Sequence, residues 1–258
     1  IIADQMVYNN IDVVFGGGTD YLLEHHRTYL SEKGCEVITD DYIAFRENKN
    51  NKVWALFEKQ DMPYDIDRKT MEMGIPSLAE MTEKAIKLLS ESEEGFFLMV
   101  EGSKVDWAAH TNDPVGIVSD FLAFDEAVGK AIEFAKKNGE TYVMVLPDHG
   151  NSGITIGSNK VNTGYDRLSK HDLFKPVAEF SLSAYQLAYN ILKDYKADSS
   201  YIQSCFSQSS PSFILTSEEI RTAVEYSDNY FKQTEKRKKE RAIEALAGQI
   251  ANMITSRT

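Results

Sequence analysis

The chain has 258 residues, of which 42% are hydrophobic, and its 28 Lys and Arg against 40 Asp and Glu give a formal net charge of −12 at pH 7. Proteins that bind nucleic acid neutralise its phosphates with Lys and Arg, so this charge argues against a nucleic-acid partner. No apolar run approaches the roughly 20 residues that a membrane-spanning helix needs, and a chain of this length can bury a substantial core.

The first part of the sequence alternates short strands with helices. Strand patterns cover residues 11–15, 35–38 and 53–57, and a helix over 21–33 ends at Gly34. Strands separated by helices are typical of an α/β fold with a parallel sheet.

The cysteines of the chain and a histidine pair in its first helix could each suggest a functional site. Cys35 and Cys205 are too few to define a disulfide framework, and Cys35, beside a short strand, is predicted to be a buried free thiol. His25 and His26 fall in the first helix without strand-end carboxylates nearby. We interpret them as a helix pair and not as metal ligands.

The apolar run 95–100 is predicted to be a buried parallel strand, and three residues of metal-ligand type follow it. These are Glu101, Asp106 and His110, which we place in a short loop. Doubly wound sheets bind their ligands at the carboxyl ends of their strands, so this loop is a candidate site.

The same arrangement recurs after the run 141–147, a second predicted strand that leads directly into Asp148 and His149. Adjacent parallel strands end at one edge of the sheet, so we expect all five side chains in one cleft. Three carboxylates and two imidazoles would repel and desolvate one another there unless a cation lay among them. Oxygen and imidazole donors without thiolates suit zinc, manganese or magnesium.

An amphipathic helix is predicted between the two motifs, from Asp113-Pro114 towards Asn138. Apolar residues at helical spacing surround Asp125, which places this carboxylate on the stripe that faces the core. A buried carboxylate needs partners, so we expect Asp125 to be buried and to accept hydrogen bonds, as a structural anchor or as support for the metal ligands.

The remaining chain is mostly helical, and Ala197–Ser200 is interpreted as a loop. The predicted helices cover 180–193, 217–226 and 230–256. We divide the chain into an α/β metal-site core over 1–157, an insertion over 158–208 near the active-site side, and a helical C-terminal part over 209–258 that returns to the core. The fold class is α/β, with a doubly wound, mainly parallel sheet flanked by helices.

At these residues the chain resembles the alkaline phosphatase family. The resemblance covers the strand and turn at 12–18, the segment 101–110, the helix at 124–128 and the strand end at 148–149. It implies an alkaline-phosphatase-like hydrolase in which a serine nucleophile attacks a phosphate monoester held between two zinc ions, with a magnesium ion close by.

The resemblance also implies a role for each ligand-type residue. Glu101 corresponds to the magnesium ligand, Asp106 and His110 to two ligands of one zinc, and Asp148 and His149 to ligands of the other.

Trp107 corresponds to a position near the bound phosphate, where a substrate-facing role and simple packing both stay open. The resemblance further implies phosphate monoesters and inorganic phosphate as ligands and a periplasmic or secreted location. It is compatible with a homodimer as the complete enzyme.

Two features of the family have no counterpart here. The nucleophile serine belongs to an Asp-Ser-Ala type segment before the triple glycine at 16–18, accompanied by another metal-binding aspartate and a phosphate-clamping arginine. A third zinc histidine belongs to a His-Thr-Gly type segment near the C-terminus. Neither can be placed, since His171 lacks the second context. The chain also begins at Ile1 without an initiator methionine or signal peptide. We therefore expect an internal piece of a larger enzyme, with no catalytic nucleophile of its own and inactive alone.

Two alternatives remain open. One is a sulfatase or phosphodiesterase of the same superfamily, against which the magnesium-type Glu101 favours the phosphatase. The other is a non-catalytic metal-binding or interaction module, for which the missing nucleophile is the main support.

Overall fold

The computed structural model describes residues 1–155, 164–194 and 198–257. The chain forms two compact units. The first consists of Ile1–Pro63, Glu72–Glu101 and Ala123–Leu146, and the second of Tyr64–Met71, Gly102–Leu122 and Pro147–Thr258. The chain therefore passes from one unit to the other five times.

The described residues form a three-stranded sheet and a series of α-helices. The strands are β1 (Val13–Gly16), β2 (Glu36–Thr39) and β3 (Val53–Leu56). The helices are α1 (Ile2–Tyr8), α2 (Glu24–Glu32), α3 (Tyr42–Glu47), α4 (Asp65–Thr70), α5 (Leu78–Leu89), α6 (Ser103–His110), α7 (Pro114–Asn138), α8 (Lys170–Ala178), α9 (Ala184–Lys193), α10 (Ser199–Ser209), α11 (Ser217–Lys232) and α12 (Lys236–Thr255). Among these residues every helix is too short or too polar to cross a lipid bilayer.

The sheet of the first unit is parallel throughout, with the strand order β1-β3-β2. The central strand β3 pairs on both edges, so that Val53 lies beside Val13 on one side and Glu36 on the other. All four residues of β3 are buried. The predicted α/β fold with a parallel sheet is confirmed, and the three strands lie within a residue or two of their predicted positions.

Both faces of this sheet are covered by helices. Successive side chains of β3 point to opposite faces of the sheet, and each set packs in its own cluster. Val53 and Ala55 join a cluster with residues of α3 and α5, whereas Trp54 and Leu56 join one with residues of α1 and α2. Cys35 belongs to the second cluster as a buried free thiol, as predicted.

The second unit is built around a helical core. Buried residues of α9, α10, α11 and α12 form one apolar cluster, in which Leu187, Ile191, Leu246, Ile250 and Ile254 are fully enclosed. Each of α9, α10 and α11 is capped at its N-terminus by a side chain, from Ser183, Asp198 and Thr216 respectively. Such caps accept hydrogen bonds from backbone N–H groups that have no partner within the helix.

The two strands predicted at 95–100 and 141–147 are not formed. A strand needs a neighbour to complete its backbone hydrogen bonds, and the strand pairings of the described residues involve only β1, β2 and β3. Many apolar side chains of both segments are exposed, with Phe97 at 90% and Tyr142 at 82%, and the others are only partly buried. Apolar composition indicated burial, but burial depends on the elements that pack alongside.

Two predictions between these segments are also wrong. Residues 103–110 form helix α6 and not a loop. The Asp106 to His110 spacing therefore corresponds to about one helical turn. Helix α7 starts at Pro114 as predicted, but Asp125 is exposed and makes no hydrogen bond or ion pair with the described residues. The stripe expected to face the core is largely exposed as well, as Phe121 is at 58% and Leu122 at 57%.

In the C-terminal region the predicted helices are present with different bounds. Helix α11 extends beyond 226, and α12 begins at Lys236 and not at residue 230. The predicted loop at Ala197–Ser200 is in part wrong, because Asp198 caps α10, which begins at Ser199, while residue 197 lies outside the described residues. The predicted boundary at 157/158 also lies outside them, and the three-part division stays a prediction.

Candidate metal centre

Helix α6 carries two of the predicted ligands on one face. Asp106 and His110 are four residues apart, and the distance from Asp106 Oδ2 to His110 Nε2 is 3.4 Å. Ala108 and Ala109 on the same helix are buried. The packing of these alanines leaves the carboxylate 37% and the imidazole 65% exposed, so both are accessible to a ligand.

The segment after residue 146 brings the second motif to the same carboxylate. His149 Nε2 lies 3.6 Å from Asp106 Oδ1 and 3.6 Å from Asp148 Oδ2. Asp106 therefore faces His110 with one oxygen and His149 with the other, and four of the five predicted ligands lie together in the second unit. Glu101 is exposed and is the last residue of its segment in the first unit.

Amide side chains tie the second motif to the end of α6. Asn151 Nδ2 donates to Asp106 Oδ1 at 2.8 Å and to the Asp106 carbonyl at 3.3 Å. Asn112 Oδ1 accepts from Ser152 Oγ and from the Gly153 N–H, both at 3.0 Å. These contacts fix the position of the segment and the orientation of the Asp106 carboxylate. We did not predict them from the sequence, where nothing distinguishes these amides from ordinary loop residues.

Trp107 lies on α6 directly after Asp106 and is 47% exposed. One face of its indole ring is covered by the ammonium group of Lys104, whose Nζ is 4.1 Å from the ring centroid. The same Nζ lies 4.8 Å from the centroid of the Tyr64 ring. The indole is thus neither fully packed nor free in solvent.

Buried carboxylates join α4 to α7 and to the start of α9 within the second unit. Both oxygens of Asp120 accept from the Asp65 N–H at 3.3 Å, and burial raises the pKa of Asp120 to about 7. Asp67 accepts from the Ser183 N–H at 2.8 Å and from Ser183 Oγ at 2.6 Å. Burial nevertheless raises the pKa of Asp67 to about 6, because the loss of hydration disfavours the charged form.

A further Asp/His group lies in the first unit. Single donor atoms of Asp4, His25 and His26 fall within 4.8 Å of one another, the one such group of three found among the described residues. The carboxylate comes from helix α1 and not from a strand end, so the histidine pair lies beside a carboxylate that the sequence patterns did not indicate.

The hydrogen bonds of His26 explain this group without a metal. Its Nδ1 accepts from the Leu23 N–H at 3.2 Å, and its Nε2 lies 2.8 Å from Asp4 Oδ1. A ring nitrogen that accepts leaves the proton of the neutral imidazole on the other nitrogen. Nε2 therefore donates to Asp4, and Nδ1 accepts from the backbone at the start of α2. Both ring nitrogens of His26 are then engaged, and neither offers a free lone pair to a metal.

Comparison with known proteins shows which family the chain is similar to. The family model described as alkaline phosphatase matches residues 1–204. Alkaline phosphatase 3 of Bacillus subtilis is 41% identical over 162 residues, which cover 61% of this chain and 34% of that protein. The chain thus spans about a third of this curated relative.

Solved structures give the same result. The cold-active alkaline phosphatase of Shewanella sp. has a TM-score of 0.72 at 26% identity, over 95% of this chain and 55% of that one. The alkaline phosphatase of Thermus thermophilus has a TM-score of 0.73 at 23% identity, over 86% and 47%, and shows the likeness of fold. With its family match over residues 1–204, the chain belongs to the alkaline phosphatase family.

Proposed function

We propose that this chain is part of a metal-dependent phosphate monoester hydrolase whose metal ligands include Asp106, His110, Asp148 and His149. The observation that carries the proposal is the position of the Asp106 carboxylate, which faces one imidazole from each motif. Glu101 is the proposed magnesium ligand by resemblance.

The spacing of the donor atoms supports metal ligation over hydrogen bonding. Separations of 3.4 and 3.6 Å between imidazole nitrogen and carboxylate oxygen exceed the 2.7 to 3.2 Å or so of an N–H···O hydrogen bond. Two ligands on one tetrahedral zinc, each about 2.0 to 2.1 Å from the metal, lie roughly 3.3 Å apart. The Asp106–His110 pair is close to that value and fits one zinc, with Asp148 and His149 assigned to the other.

The residues around the ligands have separate tasks in this proposal. Metal ions bound there would stabilise the negative charge that develops on the transferring phosphate. Asn151 donates to Asp106 and holds one carboxylate oxygen in place. A ligand oriented by a second hydrogen bond binds metal more tightly, since less freedom is lost on binding.

The nucleophile is the part that these residues do not supply. We propose that the family's serine, the metal-binding aspartate that accompanies it and the third zinc histidine lie outside this sequence, so that each zinc lacks at least one protein ligand. The 258-residue chain alone should therefore bind zinc weakly and turn over slowly. By family likeness we propose phosphate monoesters and inorganic phosphate as ligands, a periplasmic or secreted location, and a homodimer for the complete enzyme.

The test combines zinc binding with p-nitrophenyl phosphate hydrolysis on the purified chain, with Asp148→Ala in parallel. We expect zinc binding that the substitution weakens, together with turnover far below the roughly 1 to 1000 per second of ordinary enzymes. Zinc affinity that is unchanged by Asp148→Ala would sink the metal site. Turnover within the ordinary range, abolished by the substitution, would show instead that the catalytic site is complete in this chain.

Two further substrates address the rival classes. Preference for p-nitrophenyl sulfate or bis(p-nitrophenyl) phosphate over the monoester would support a sulfatase or a phosphodiesterase. Zinc binding without hydrolysis of any of the three, also after the missing segments are restored, would support a non-catalytic module.

A further inference from the structure

The Lys104 side chain occupies an unusual place for a lysine. It lies on α6 two residues before Asp106, and the residue is only 9% exposed. Lysines on helices usually extend so that the ammonium group reaches water. A buried ammonium loses hydration and needs other groups around it in compensation.

Two aromatic rings supply part of this compensation. Lys104 Nζ lies 4.1 Å from the centroid of the Trp107 indole and 4.8 Å from that of Tyr64. Both distances are within the roughly 6 Å over which a cation is attracted to the face of an aromatic ring. The attraction is strongest for a desolvated cation on an indole, which is the arrangement at Trp107.

Two buried carboxylates also act on the ammonium electrostatically. The charge of Lys104 acts to lower the pKa of both Asp67 and Asp120, against the larger effect of their burial. Both carboxylates are fixed by hydrogen bonds to backbone groups, from Ser183 and Asp65 respectively. The ammonium thus lies in the field of two fixed carboxylates and against a second ring, that of Tyr64, so its position does not depend on the indole alone.

The consequence concerns the indole. A tryptophan with half of its surface in solvent can usually adopt more than one side-chain rotamer. Here one face of the indole ring lies against the buried ammonium group of Lys104, so one side-chain orientation of Trp107 is favoured over the others. We propose that Lys104 is a positioning residue, which holds the Trp107 indole as a preformed wall beside the Asp106 ligand, where the phosphate ester binds. The substrate part rests on the proposed function, whereas the fixed ring does not.

The test uses the full chain labelled with 5-fluorotryptophan. Trp54 and Trp107 are its two tryptophans, so ¹⁹F NMR gives one resonance for each, assigned with Trp107→Phe. Trp54 is buried in the sheet of the first unit and reports the folding of that unit. The far-ultraviolet circular dichroism signal of the helices reports the folding of the second unit and must stay native in each variant. Since Lys104→Met also removes a charge that faces carboxylates, it is combined with Asp120→Asn, and Asp120→Asn alone is the reference.

Three results are expected. In Lys104→Met/Asp120→Asn the Trp107 resonance should shift at least halfway to its position in the urea-unfolded chain, while the Trp54 resonance stays native. Lys104→Arg, which keeps a cation, should leave the Trp107 resonance near its original position. Lys239→Met is the matched control, because Lys239 Nζ lies 5.3 Å over the Tyr230 ring. It should leave the Trp107 resonance unchanged.

The outcomes separate the two parts of the proposal. A Trp107 resonance that stays in place in the double variant, or moves equally in Lys239→Met, would overturn the positioning role. Inorganic phosphate is added to the wild type at zinc concentrations high enough to saturate the weak sites expected of this chain. It should shift the Trp107 resonance, and the shift should shrink at least twofold in the double variant. Where the lysine dependence holds but phosphate has no effect, the placement of the indole at the substrate site is refuted, and the proposed function loses that support.

Discussion

Asp113 joins the starts of two helices, and its replacement gives the sharpest test of how the second unit is held together. The residue is 1% exposed. One oxygen accepts from the Val115 N–H at 3.0 Å in the first turn of α7, and the other from the Ala184 N–H at 2.8 Å, where α9 begins. The Gly116 N–H also donates to this carboxylate.

Asp113→Ala leaves these three backbone donors buried without an acceptor. Each such donor costs about 1 to 3 kcal/mol, which gives a loss of roughly 3 to 9 kcal/mol. An opposing effect reduces the loss, because burial raises the pKa of Asp113 and the variant no longer carries that desolvation penalty. We expect a net destabilisation of about 3 to 5 kcal/mol, a large part of the roughly 5 to 15 kcal/mol of a whole domain.

The assay is urea unfolding followed by far-ultraviolet circular dichroism at pH 7. Asp198→Ala is the control, since Asp198 caps the exposed start of α10 by accepting from the Ser200 N–H at 2.9 Å. An exposed cap is worth about 1 kcal/mol. If Asp113→Ala costs no more than Asp198→Ala, the buried carboxylate is not what joins α7 to α9, and the reasoning is refuted.

Three more substitutions test the site and its support. The raised pKa of Asp120 stabilises the wild type fully below pH 3.8, and this stabilisation is lost as the pH rises through about 7. The free energy of unfolding of Asp120→Asn, measured in urea, should therefore increase relative to that of the wild type by about 3 kcal/mol between pH 5 and pH 8. A difference that does not depend on pH would contradict this. Asn151→Ala should lower zinc affinity about 10- to 100-fold in competition with a chelating dye, and unchanged affinity would exclude its orienting role. Leu187→Ala should cost about 2 to 5 kcal/mol because the residue is fully enclosed, whereas Tyr189→Ala, at a position 48% exposed on the same helix, should cost far less.

Local patterns in the sequence predicted the elements that local interactions determine. The three strands of the sheet were found from short apolar runs, and the start of α7 from Asp113-Pro114. The Asp106 to His110 spacing of four residues fits one face of a helix, but the type of these residues indicated a ligand loop, so the prediction for 103–110 was wrong.

Features that depend on distant partners were not predictable in this way. The run 95–100 has the composition of a buried strand, but composition does not specify whether another strand lies beside it. The Ser183 hydroxyl donates to Asp67 across 116 residues of sequence. The Asn151 amide was missed for the same reason, since its partner Asp106 is 45 residues away.

The interleaving of the two units along the chain bears on how the protein reaches its native state. Neither unit is a continuous stretch, so neither can be complete when synthesis has reached only the first half of the chain. Buried contacts such as Asp67 with Ser183 close a loop of 116 residues, and the entropy of such closures must be paid before the contacts form. Topologies dominated by distant pairings fold slowly. Refolding from urea should therefore be slow. A single protease cut at any one of the five crossings should not release either unit as a separate folded fragment, because each unit contains segments from both sides of the cut or is interrupted by the other.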